Sequence, residues 1–203
     1  MEKDIDVIKV ITHADGGEDY LKNVSRYPSN EDSVAVKGYG VDENNPENAQ
    51  MQFDTVTKYH GNDGKNQFIQ FMMSFLRETA PDAETAMDIT DKALEPLKDN
   101  HQILIGGHEK NRVKSDYHTH SFVSTTNLET GKMIYPTNKL NYAIAQNVAN
   151  TIQKPVELVI ERKSTSEPES SQNEYNTGQN GTGGSEKKKD FTRIFYPHNK
   201  PKD

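Results

Sequence analysis

Apolar residues alternate with polar ones along Asp4 to Thr12, which predicts a first strand with Ile5, Val7 and Ile11 inward. The turn-rich HADGG follows, and Glu18 to Ser25 is a short helix candidate capped by Asp15 and closed before Pro28. Ser33 to Lys37 reads as a strand that breaks at Gly38-Tyr39-Gly40. Pro46 to Tyr59 has helical spacing, with Ala49, Phe53, Val56 and Tyr59 as a buried stripe. Gln67 to Phe75 is a strand carrying Phe68, Gln70, Met72 and Ser74 on one side and Ile69, Phe71, Met73 and Phe75 on the other. Asp82 to Lys98 is a helix capped by Asp82, with Met87, Thr90, Leu94 and Leu97 inward and Pro96 bending or ending it. Lys139 to Gln153 repeats Leu140, Ile144, Val148 and Ile152 at helical steps, and Pro155 to Glu161 is a last strand. Strands alternating with helices, including a hairpin, predict an α+β domain with an antiparallel or mixed central sheet flanked by helices.

The hairpin is Gln102 to His108 followed by Tyr117 to Thr126, with the polar Asn111 to Ser115 as its loop. That loop sets His108 opposite His118. Side chains alternate, so His118 and His120 share a face with His108, Leu104 and Phe122, while Ile103, Ile105 and Val123 take the other. A slip of one residue would scatter both sets. Three imidazoles converging on one point make a site for a divalent cation, since neutral imidazole is the commonest nitrogen ligand. For the His118–His120 pair alone, a pair of ordinary surface histidines is as good a reading; His108 in register favours the metal site.

Composition narrows the class. The 203 residues suffice for one ordinary domain with appendages, expected as residues 1–162. Cysteine is absent, which excludes disulfides and thiolate ligands. No apolar run matches a membrane helix and the start does not read as a signal peptide, so a soluble cytoplasmic protein without membrane insertion is expected. Residues 1–155 hold 16 Lys and Arg against 23 Asp and Glu, so the whole net charge of −7 lies there. That balance argues against indiscriminate nucleic-acid binding and for a local basic groove or help from a partner. Lys163 to Asp190 is Ser, Glu, Gln, Asn and Gly rich and is expected to be disordered and dispensable for stability. FTRIFYP at 191–197 is apolar enough to dock, with a frayed terminus the simpler expectation.

The strand ending in His108, then His118 and His120 in the next strand, resembles the histidine triad of the conjugative relaxases, the mobilisation nucleases of the HUH endonuclease class. MMSFLRETAPDAETAMDITDKAL at 72–94 resembles their second motif, and DYLKNVSRYPSNEDSVAVKGYGVD at 19–42 their first, which carries the nucleophilic tyrosine. The likeness runs in order from about Ile5 to Lys132. It implies strand-specific nicking and rejoining of single-stranded DNA at a transfer origin, through a 5′-phosphotyrosyl intermediate. His108, His118 and His120 are the implied ligands of Mn²⁺ or Mg²⁺ in use, with Zn²⁺ the alternative as isolated. Tyr20 is the implied nucleophile, with Tyr27, Tyr39 and Tyr59 as competitors. Lys22, Arg26, Arg77 and Asn127 are the candidate DNA contacts, and an accessory DNA-binding protein and a coupling protein are further partners consistent with the likeness.

The chain departs from the family pattern at several points. Lys110 stands where an acidic residue is usual, so Asp116 or Glu109 is the candidate to orient a ligand. The connection from His108 to His118 is longer than usual, Ser124 takes a usual asparagine position, and a histidine at the start of the second-motif strand is missing, with Gln67 and Gln70 nearby. Two other functions stay open on the sequence. A rolling-circle replication initiator would cleave at a replication origin, and a non-catalytic DNA-binding module would form no covalent adduct.

Overall fold

The computed structural model describes residues 5–12, 18–27, 33–109, 117–161 and 191–198. Seven strands, β1 (Asp6–Thr12), β2 (Ser33–Tyr39), β3 (Phe68–Phe75), β4 (His101–Glu109), β5 (Tyr117–Asn127), β6 (Val156–Ile160) and β7 (Phe191–Phe195), form one sheet in the order β2-β4-β5-β3-β1-β6-β7. All neighbours are antiparallel except β1 and β6, which run parallel. Parallel neighbours need a crossover, but here the chain between β1 and β6 builds most of the domain, and α5 (Asn138–Ile152) delivers it to β6. The expected α+β domain with a mixed sheet is what forms.

Alternation along the strands divides the core in two. Ile8, Val10, Ile69, Phe71, Met73, Ile103, Ile105 and Val123 point to one face, where α3 (Ala83–Ala93) and α5 bury them with Met87, Ile144 and Val148. On β1 the parity that faces this core is therefore Ile8 and Val10, and not the expected Ile5, Val7 and Ile11, which are half-buried. Each such side chain contributes about 1.5–3 kcal/mol by leaving water. On the other face a smaller cluster of Leu104, Phe122 and Phe68 lies under Leu21 and Val24 of α1 (Glu18–Arg26) and Ala49 and Phe53 of α2 (Pro46–Tyr59). This second cluster seats α1 beside the histidine hairpin.

Helix ends follow local chemistry. Asn45 accepts from the Asn48 amide ahead of Pro46, Asp82 from Thr85, and Thr137 from Leu140. Pro96 lacks an N–H, and the helix expected to reach Lys98 divides at Leu94 into α3 and the short α4 (Glu95–Lys98). The stripe expected on α2 is corrected: Ala49, Phe53 and Thr57 are buried, whereas Tyr59 is 83% exposed because the helical rotation carries it off that face. The break expected at Gly38-Tyr39-Gly40 is also shorter. β2 runs through Tyr39 and ends at Gly40, whose φ of 64° suits glycine.

Edge strand β2 is tied to the α3 layer. Asp91 accepts from Tyr39 Oη and pairs with Lys37 at 3.1 Å and Lys98 at 2.8 Å. Burial alone would raise the Asp91 carboxyl, but hydrogen bonds from Lys98, Tyr39 and Lys37 outweigh it and hold it below the usual value. At the opposite edge, the terminal segment expected to fray forms β7. It pairs with β6 from Val156↔Phe195 to Ile160↔Phe191, and Phe195 is buried against the α5 layer. Residues 163–190, expected to be disordered, lie outside the described residues.

Candidate active site

Gly106 and His108 of β4 pair with His120 and His118 of β5, the register expected from the sequence. All three imidazoles are buried, at 3%, 7% and 6% exposure for His108, His118 and His120. Their ring centres are 5.3 Å apart for 108–118, 5.4 Å for 108–120 and 5.0 Å for 118–120. Gly106, opposite His120, adds no side chain to the cluster.

The helix that covers this cluster brings a tyrosine to it. Leu21 and Val24 anchor α1 in the smaller core, Ser25 Oγ donates to the Leu21 carbonyl, and Tyr27 follows directly after the last turn. The Tyr27 ring stands 4.8 Å from His120, 5.4 Å from His108 and 6.1 Å from Phe122, mostly edge to face. Its hydroxyl lies 3.4 Å from His120 Nε2, and the residue is 41% exposed. The other ring nitrogen of His120, Nδ1, is 2.9 Å from the amide of Gln70 on β3.

The remaining candidates fall in different places. Tyr20 lies on α1, but its side chain is outside the described residues, as is Asp116. Tyr39 serves the Asp91 network on the far side of β2, and Tyr59 is exposed at the end of α2. Glu109 follows His108 in β4 and pairs with Tyr117, so alternation sends it to the face opposite the triad, and it does not orient a ligand there. Arg26, next to Tyr27, pairs with Glu47 at 3.0 Å, and Lys22 is exposed one turn earlier. Arg77 is exposed just beyond Phe75, whose partner Tyr117 neighbours His118, so it stands at the triad end of the sheet. Asn127 is at the other end, about 23 Å along β5 from His120, where its Oδ1 accepts from Glu129 and Thr130 and shapes a turn.

Three neutral imidazoles are a fitting donor set for a divalent cation, and three bound at about 2.1 Å each have ring centres about 5 Å apart. The observed spacing matches. His108 and His118 stack at 27°, however, and among the described residues no three donors are closed to ligating distance as they stand, so turns of the rings are needed. Gln70 is the contact that sequence reasoning missed. The signal available was its place on the same face of β3 as Met72 and Ser74.

A family model for the relaxase nuclease domain, MobA/VirD2-like, matches residues 20–158. The chain belongs to this relaxase family, which makes it a metal-dependent endonuclease whose substrate is DNA at a transfer origin. No curated protein matches it. Among the described residues, no helix is long and apolar enough to cross a membrane.

Proposed function

We propose that the protein nicks and rejoins one DNA strand at its transfer origin, with the Tyr27 hydroxyl as nucleophile and His108, His118 and His120 as the metal-holding triad. The observation that carries this reading is the 3.4 Å approach of Tyr27 Oη to His120 Nε2 above the clustered rings. A divalent cation, when bound by the three imidazoles, supplies positive charge that offsets the charge growing on a phosphate oxygen.

Every other part of the chemistry falls to the chain. With Nε2 of His120 engaged below, the Tyr27 hydroxyl turns to the phosphate and passes its proton to solvent water as its oxygen bonds to phosphorus. The bond from phosphorus to O3′ breaks, and O3′ takes up a proton from solvent water. The products are a phosphotyrosine on the 5′ end and a free 3′ hydroxyl, and a later attack by a 3′ hydroxyl reverses the step. Because the phosphodiester is exchanged for a phosphotyrosine of similar energy, no nucleotide cofactor is needed for rejoining. Arg26, Lys22 and Arg77, at the tyrosine end of the sheet, are suited to hold flanking phosphates of single-stranded DNA. Accessory and coupling proteins would complete recognition on so acidic a domain.

The test is covalent attachment to a single-stranded origin oligonucleotide with Mn²⁺ or Mg²⁺ at low salt, read on a denaturing gel. Tyr27→Phe should keep the fold and give no adduct, whereas Tyr20→Phe and Tyr39→Phe should still form it. An adduct that survives Tyr27→Phe but not Tyr20→Phe would move the nucleophile to Tyr20.

A further inference from the structure

Gln70 sits on β3 two residues before Met72, the partner of His120 on the neighbouring β5. Residues two apart share a face, so Gln70 is the diagonal neighbour of His120, a separation that a long side chain spans. Its amide does span it, meeting Nδ1 at 2.9 Å, and the residue is buried at 7% exposure. The opposite ring nitrogen, Nε2, is the one turned to Tyr27. A neutral imidazole has one N–H, so Nε2 can offer its lone pair only if Nδ1 carries the hydrogen. Half a turn of the Gln70 amide exchanges its nitrogen and oxygen at the same place, and the oxygen can then accept that hydrogen.

We propose that Gln70 is the positioning residue of the triad: its amide oxygen accepts from His120 Nδ1–H and fixes the tautomer that presents Nε2 to a divalent cation. The proposal rests on the metal-holding reading of the three histidines. It also explains how the site works with Lys110 in place of the usual acid and with Glu109 on the other face of the sheet. Orientation comes from β3, not from the hairpin that carries the ligands. An amide does this without adding negative charge beneath the rings, so the full charge of the cation stays available to a phosphate.

Two substitutions and a control separate this proposal from the reading beneath it. Gln70→Leu removes the acceptor while filling similar space, and Gln70→Glu keeps an acceptor that cannot donate. Titration calorimetry with Mn²⁺ should show binding weakened about 10–100-fold in Gln70→Leu and restored at least to the wild-type level in Gln70→Glu. In the metal-free protein, ¹⁵N NMR of the His120 ring should report a single Nδ1–H tautomer in wild type and Gln70→Glu, and a tautomer mixture in Gln70→Leu. Mn²⁺ binding in Gln70→Leu equal to wild type, or in Gln70→Glu as weak as in Gln70→Leu, would overturn the role of Gln70. Undiminished Mn²⁺ binding by His120→Ala would instead overturn the metal site itself.

Discussion

The two faces of β3, β4 and β5 are made by alternate residues of the same strands, yet they have opposite chemistry. Toward α3 and α5 lie Ile69, Phe71, Met73, Ile103, Ile105 and Val123, all fully buried. Toward α1 lie Gln70, His108, His118 and His120, beside only a small apolar cluster. Thr119 sits between two of the histidines and already belongs to the first face, where its hydroxyl meets Thr90 at 2.7 Å. One face holds the strands in register and the other uses that register as a ruler for reactive groups. Stability and chemistry are therefore separable by position parity along a single strand.

The largest expected effect separates them most sharply. His118→Ala should lower the rate of adduct formation by about 100-fold or more, with a near-native thermal midpoint, measured by single-turnover assay and calorimetry. Phe71→Ala should do the reverse in kind, costing about 3–5 kcal/mol of stability in denaturant titration while any folded protein keeps Mn²⁺ binding. Equal loss of stability from both would erase the division of labour. Next in size is the edge of the sheet. Cutting the chain after Glu161 removes β7 and the buried Phe195 ring, and the truncated protein should melt several degrees lower, about the effect of losing 2–3 kcal/mol.

The smallest effect is one of pH. Burial holds His101, at the start of β4, below its ordinary value, with its hydrogen bonds to the backbone of Ser124 and Thr126 opposing that only in part. Because the folded value is depressed, the stability linked to His101 is complete above the unfolded value of about 6.5 and is lost as pH falls through the lower folded value. Denaturant titrations of wild type and His101→Gln across that range should show a shallower decline in the variant. The part of the acid loss that disappears in the variant belongs to this buried position at the start of β4.

The elements were legible because their signals are local. Alternation marked β3, β4 and β5, and Asp82 marked the start of α3, whereas the caps at Asn45 and Thr137 were not picked out. The His108–His118 pairing was legible too, since apolar matching and histidine clustering demand the same hairpin register. The approach of Tyr27 was not. It depends on how deeply Leu21 and Val24 seat α1 over the sheet, which the helical repeat of the sequence does not carry. Gln70 was hidden for a related reason, because its contact crosses from β3 to β5, strands that the sequence did not place side by side. β7 escaped because its partner, β6, lies beyond a long polar stretch that carries no pairing signal.

The place of β1 has a consequence for synthesis. It lies between β3 and β6, so one of its edges waits for residues made near the end of the domain. At ribosomal speeds of about 5–20 residues per second, roughly 7–30 s separate the emergence of β1 from that of β6. Strands β3, β4 and β5 and helices α1 and α2 all precede β6 in the chain, so the histidine cluster can assemble on a nascent polypeptide whose sheet still has an open seam. During that interval the bare edge of β1 is a template for another nascent chain, as any unpaired strand edge is.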